Sequence, residues 1–198
     1  MLALVTLKAY YSNSRTNEHK NMLRTFIQKF FIDARYAGFE LFAISAFMLG
    51  FALISQFGFG YAPCELCIMQ RWPYVAIGII GIIALFIGKS RPKVAAAFIA
   101  LAGGVFLTGM GIAIFHVGVE QKWWAGLKTC SQPSFMNDNL SLDDLEAMIM
   151  AAPVVSCGDI AWTLFGLSMA VYNALLSFVY ALYSIVAAIF ITRKANGL

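Results

Sequence analysis

Trp72-Pro-Tyr-Val-Ala-Ile-Gly-Ile-Ile-Gly-Ile-Ile-Ala-Leu-Phe-Ile-Gly88 carries no charge, and it runs directly into Lys89-Ser-Arg-Pro-Lys93 and then into a second uncharged run over residues 94–115. A helix rises ~1.5 Å per residue, so about 20 apolar residues cross a ~30 Å hydrocarbon layer. Two such runs joined by a short basic turn read as a hairpin of membrane-spanning helices. Strands of a membrane barrel would alternate with period two, and these runs do not. Working outward, residues 41–57 and 162–191 are two further uncharged apolar runs. The expected fold is therefore all-α, a four-helix transmembrane bundle.

Composition agrees. Of the 198 residues, 61% are hydrophobic and 12% charged, whereas a soluble domain is nearer half apolar and a quarter charged. The net charge of +4 raises the question of nucleic acid. The basic residues, however, lie at the edges of the apolar runs, so they read as determinants of membrane orientation, and nucleic acid is not an expected partner. Lys8, Arg15, Lys20, Arg24, Lys29 and Arg35 precede the first run; Lys89, Arg91 and Lys93 fill the turn; Arg193 and Lys194 follow the last run. Only Arg71, Lys122 and Lys128 fall on the opposite side. The positive-inside rule then places both termini in the cytoplasm and the two remaining loops outside.

Residues 1–40 are expected to form a cytoplasmic segment, residues 41–191 the transmembrane domain and residues 192–198 a cytoplasmic tail. Residues 1–10 lack the basic start and cleavage site of a signal peptide, and Met22 is an alternative start. Over 22–35, Leu23, Phe26, Ile27, Phe30 and Phe31 share one helical face, as in a helix lying in the membrane interface. Residues 141–150 are a second amphipathic stretch, with Leu142, Leu145, Met148 and Ile149 on one face.

With this topology all four cysteines face outward. Cys64 and Cys67 form Cys-Glu-Leu-Cys just before residue 72, and Cys130 and Cys157 lie in the long loop between the third and fourth runs. In a bacterium that side is the oxidising periplasm, where disulfides persist. A Cys-x-x-Cys pair is either a redox couple or half of a zinc site. The other cysteines are isolated and His116 has no partner histidine on its side, so the redox reading is preferred and no metal is expected. Pairing Cys64 with Cys67, adjacent in sequence, leaves Cys130 with Cys157 in one loop. Arg71 stands one helical turn after Cys67. Its guanidinium could favour a thiolate and bond a quinone oxygen, or it could simply anchor in lipid headgroups. Position alone leaves both open.

Cys64-Glu-Leu-Cys-Ile-Met-Gln-Arg71 resembles the motif of the disulfide bond formation protein B family, DsbB. The stretches His116 to Cys130, Ser156-Cys-Gly-Asp159 and Gly166 to Leu175 resemble the borders of that family's second periplasmic loop and its following helix. The resemblance covers about residues 41–191. That family's relay from a soluble thiol oxidase to quinone keeps the bacterial periplasm oxidising, a known system rather than one deduced from these residues.

The resemblance implies a thiol:quinone oxidoreductase of the bacterial inner membrane. Its cofactor would be ubiquinone or menaquinone and its partner a periplasmic DsbA-like thioredoxin-fold oxidase. It implies Cys64 and Cys67 as the quinone-proximal pair, with Cys67 meeting the ring. Arg71 and His116 would be quinone-side residues, Cys130 the sulfur attacked by the partner and Cys157 its disulfide mate. Glu65 replaces a usually apolar residue, and its charge is expected to oppose thiolate formation nearby. The rival readings are a vitamin K epoxide reductase-like enzyme and an inert scaffold stapled by disulfides. Trp123 and Trp124 read as an interfacial aromatic belt, Asn173 as a cross-helix hydrogen bonder, and Gly78, Gly81, Gly103, Gly104, Gly109 and Gly111 as close-packing positions.

Overall fold

The computed structural model describes residues 33–127 and 156–197. Its elements in order are α1 (Ala34–Phe57), α2 (Glu65–Met69), α3 (Arg71–Ile87), α4 (Pro92–Glu120), the antiparallel strands β1 (Thr163–Leu164) and β2 (Leu167–Ser168), and α5 (Met169–Ala195). Among the described residues four helical stretches are long and apolar enough to cross a membrane: α1, α2 continued by α3, α4 and α5. The chain is a multi-pass, four-helix transmembrane protein, as its apolar runs imply.

Local chemistry sets the element ends, and several differ from the apolar runs. α1 begins before residue 41, because the Asp33 side chain accepts the N–H of Arg35 at 3.0 Å and caps the helix at Ala34. The expected interfacial helix over 22–35 thus meets α1 at its last residues. Its earlier part lies outside the described residues, as does the 141–150 stretch. Between α2 and α3 the helix breaks at Gln70. Pro73 explains the break, since it has no N–H to give Met69, four residues back, and its ring crowds that carbonyl. α4 starts with Pro92 in its first turn and runs past residue 115 to Glu120, carrying His116 on a continuous helix.

The largest correction concerns the fourth run, read as a span from residue 162. It is helical only from Met169. Before that the chain forms a hairpin, with Thr163 opposite Ser168 and Leu164 opposite Leu167. At its tip Phe165 (φ 49°) and Gly166 (φ 78°) lie in the left-handed region, which a right-handed helix cannot contain. Ser168 then starts α5 by accepting the N–H of Val171. Apolarity alone cannot separate a short apolar hairpin from the first turns of a helix.

α4 packs along α5, α1 along α3, and α3 along α4. The buried core is dominated by small residues, such as Ala37, Ala84, Ala95, Ala102, Ala181 and Ala187, around Leu41, Ile77, Ile99 and Phe106. Large apolar side chains face outward: Phe47, Phe57, Phe86 and Val179 are all more than half exposed. This inside-out distribution suits lipid, where apolar surface gains nothing from burial and helices associate by close packing. α1 and α3 cross where Gly38 meets Gly81. A Cβ on Gly81 would stand 2.7 Å from the Phe42 backbone nitrogen and 2.8 Å from the Gly38 carbonyl oxygen. Gly104 and Gly111, read from sequence as packing positions, have no described atom within 4 Å of where a Cβ would stand. They lie on faces of α4 that pack against no described neighbour.

Candidate active site

The break at Gln70 does two things. It ends α2, the short helix that Cys64 caps at its start, and it turns Gln70 inward. The Cys64 sulfur accepts the backbone N–H of Cys67 at 3.2 Å, while its own thiol donates to the Cys67 sulfur, 2.6 Å away. Cys64 and Cys67 are both free thiols. The hydrogen bond to Cys67, followed by burial, pushes the Cys64 thiol well above its ordinary range. Cys67 is therefore the sulfur placed to hold negative charge. Glu65, expected to oppose that charge, is exposed.

His116 stands beside this pair, its Nε2 3.6 Å from the Cys64 sulfur and 3.9 Å from Glu120 Oε1. Ser168 at the start of α5 donates to the other Glu120 oxygen. From sequence His116 had no candidate partner for a metal. In the fold its ring nitrogen and the Cys64 and Cys67 sulfurs lie within 4.8 Å of one another. The fold thus brings the histidine to a cysteine pair that the sequence already held together.

Arg71 donates to the Gln56 side-chain oxygen of α1 at 2.8 Å. That bond ties the guanidinium to α1. With Cys67 it lines a cavity of about 370 Å³, whose walls include Phe47, Phe51, Trp162 and Leu176 and whose polar groups include Gln70, His116 and Asn173. Trp162 closes edge-on against Phe51, so the hairpin and α1 share one wall.

Cys157 is buried and disulfide-bonded. It belongs to one apolar cluster with Cys64, Leu66 and Val119, with Cys67 packed against it. Cys130 lies outside the described residues. Trp124 is more than a belt residue. Its ring stacks on Phe115, its N–H bonds the Phe115 carbonyl, and it fills the space that a Cβ on Gly118 would need.

A family model for disulfide bond formation protein DsbB matches residues 34–187. The chain belongs to the DsbB family. Its similarity to individual members runs the length of the bundle. It is 30% identical over 172 residues to disulfide bond formation protein B of Aromatoleum aromaticum, covering 86% of this chain and all of that one. It is also 30% identical over 165 residues to disulfide bond formation protein B of Pasteurella multocida, covering 83% of this chain and 89% of that one. An uncharacterised Rickettsia prowazekii protein is 30% identical over 69% of this chain and 77% of its own length. No solved structure matches the chain. DsbB membership makes this a membrane protein of disulfide bond formation, and it decides against the vitamin K epoxide reductase-like reading.

Gln56, Gln70, Tyr74 and Glu120 were not singled out from sequence. Glu120 carried a signal in its i,i+4 spacing from His116. Gln70 carried one in being a polar residue between a cysteine pair and an apolar span. Asn173, expected to bond across helices, does so to Gln70 and Tyr74 and also lines the cavity.

Proposed function

We propose that this DsbB-family chain is a thiol:quinone oxidoreductase of the bacterial inner membrane. It reoxidises a periplasmic DsbA-like thioredoxin-fold oxidase and passes the electrons to ubiquinone or menaquinone. The observation that carries the reading is the cavity that Cys67 and Arg71 line together. A quinone is a flat apolar ring with two carbonyl acceptors. The cavity offers aromatic and aliphatic walls, one fixed cation and one reactive sulfur, which fits such a ring. Arg71 would hold a carbonyl oxygen, with its other N–H kept by Gln56. The bound quinone supplies a two-electron, two-proton acceptor.

The chain's own steps are thiol exchanges. A partner thiolate attacks Cys130, forming a mixed disulfide and releasing Cys157 as thiolate. A second partner thiol then resolves the mixed disulfide and leaves Cys130 and Cys157 reduced. That dithiol next attacks an oxidised Cys64–Cys67 pair at Cys64. Cys67 departs as thiolate on the cavity side, and the loop disulfide reforms. Burial of Cys157 in one cluster with Cys64 supports a short path for this exchange.

The test is quinone reduction by the purified protein with reduced partner. Cys67→Ser is expected to abolish it while a trapped partner–Cys130 adduct still forms. Normal turnover by that variant would sink the reading in favour of an inert scaffold.

A further inference from the structure

A continuous buried chain of polar side chains runs behind the reactive pair. The Tyr74 hydroxyl of α3 donates to Asn173 Oδ1 of α5. Asn173 Nδ2 donates to Gln70 Oε1 at 2.8 Å. Gln70 Nε2 lies 3.1 Å from His116 Nδ1, and His116 Nε2 lies 3.6 Å from the Cys64 sulfur. Tyr74, Gln70, His116 and Asn173 are all buried. Ser177 joins as a second donor to Asn173 Oδ1, and Ser45 of α1 holds the Tyr74 carbonyl at 2.7 Å.

A side-chain amide has one accepting and one donating end, so the chain has a direction. Two hydroxyls occupy the Asn173 oxygen, which turns its NH₂ to Gln70. The Gln70 oxygen is then occupied, which turns its NH₂ to His116. A ring nitrogen facing an N–H donor must present its lone pair, so the ring's proton sits on Nε2. The groups around Nε2 demand the same: the Cys64 sulfur and the Glu120 carboxylate both accept. The remaining neighbours of the ring are the Cys67 sulfur and the backbone of Cys157, which hydrogen-bonds it.

We propose that Tyr74, Asn173 and Gln70 are positioning residues that lock His116 as a neutral hydrogen-bond donor to the Cys64 sulfur, rather than as a carrier of protons. The proposal rests on the thiol:quinone reading above. Closing the Cys64–Cys67 bond releases two electrons and two protons, and the quinone takes up both. In that step the Cys64 S–H breaks and its sulfur pair forms the bond to Cys67, whose two electrons leave to the quinone, and a fixed Nε2–H at the Cys64 sulfur stabilises the negative charge that develops there. Neutral imidazole serves this role because its Nδ1 is held by Gln70. The locked ring forms no bond to substrate and exchanges no net proton.

The test uses the full-length reduced protein in detergent, labelled with ¹⁵N-histidine. The chain has two histidines, and His19→Asn leaves His116 as the sole signal. The expected spectrum shows a lone pair on Nδ1 and a proton on Nε2. Gln70→Glu, when ionised, can only accept, so it should draw a proton onto Nδ1. Asn173→Asp should do the same from a residue one step further away, by forcing Gln70 to turn round. Loss of packing alone would not move the proton to the other nitrogen. In both variants, single-turnover quinone reduction by the Cys64–Cys67 dithiol should slow by on the order of tenfold or more, the scale of one hydrogen bond to a charged group. If Gln70→Glu fails to fold, Asn173→Asp still decides. A proton on Nδ1 in the parent, or an Nδ1 still unprotonated in the variants, overturns the lock even where quinone is reduced. A parent with Nε2–H that never reduces quinone overturns the functional reading instead, and the role with it.

Discussion

At Cys64 two donors and one acceptor meet on a single sulfur, and that balance separates the two thiols of the pair. The bond to Cys67, and then burial, push Cys64 up, so it stays a thiol when pH passes its ordinary value of 9.0. The reduced protein treated with iodoacetamide is therefore expected to label Cys67 first. Cys64 should lag even at pH 9.0, where an unperturbed thiol is half ionised. Peptide mass spectrometry over a time course reads the order, and equal rates would contradict the assigned donor. Arg71 allows a second check. Arg71→Ala removes a charge-assisted bond worth about 1.5–3 kcal/mol, roughly 10- to 150-fold in apparent quinone affinity. Both disulfides should still form. Gln56→Ala, which only frees the guanidinium, should give a smaller shift in the same direction, and unchanged quinone titrations would return Arg71 to a lipid anchor. The type and place of both residues were legible in the sequence. The Gln56 contact was not, because it joins helices that are neighbours only once α1 packs on α3.

Among the elements, α1 and α3 cross in close contact, and that closeness is a property of two glycines, Gly38 and Gly81. Gly81→Ala would drive a methyl group into the backbone of α1. Since helix backbone cannot yield as a flexible side chain does, the expected loss is about 1–3 kcal/mol. Gly104→Ala, with open space at its Cβ, should change stability by no more than about 0.5 kcal/mol. Thermal unfolding of the two variants in the same detergent makes the comparison, and equal losses would refute the crossing. Both glycines look alike in sequence, within runs of apolar residues. Only the rotation of each helix about its axis tells which one faces a partner. The hairpin ahead of α5 follows the same logic. Its residues are as apolar as those of the helix they precede, and the left-handed turn at Phe165 and Gly166 is visible only in the backbone.

Across the whole molecule, the proposed function requires that the two ends differ. The Cys64 pair, His116 and Cys157 gather at one end. At the other end the start of α1 touches the end of α3, where a Cβ on Gly88 would meet Arg35, next to the basic turn Lys89 to Lys93. Reporter fusions after Pro92 and after Lys194 are expected to behave as cytoplasmic, and a fusion near Asn137 as periplasmic. A periplasmic signal from the Pro92 fusion would invert the orientation and move the thiols to a reducing compartment.

Span number, the grouping of basic residues and the Cys-x-x-Cys-x-x-x-Arg spacing are properties of short, contiguous segments. Lipid imposes them through length and charge before any helix meets another, and the sequence by itself therefore determined the four-span architecture and located the cysteine pair. The placement of His116 against Cys64, the buried run from Tyr74 through Asn173 and Gln70, and the cavity beside Arg71 each join residues from different helices. Asn173 lies 103 positions from Gln70, and no local pattern records that pairing. Close packing of small residues brings the helices together, and the buried polar groups must then satisfy one another because lipid offers them no other partners. Only the tertiary structure decided those contacts.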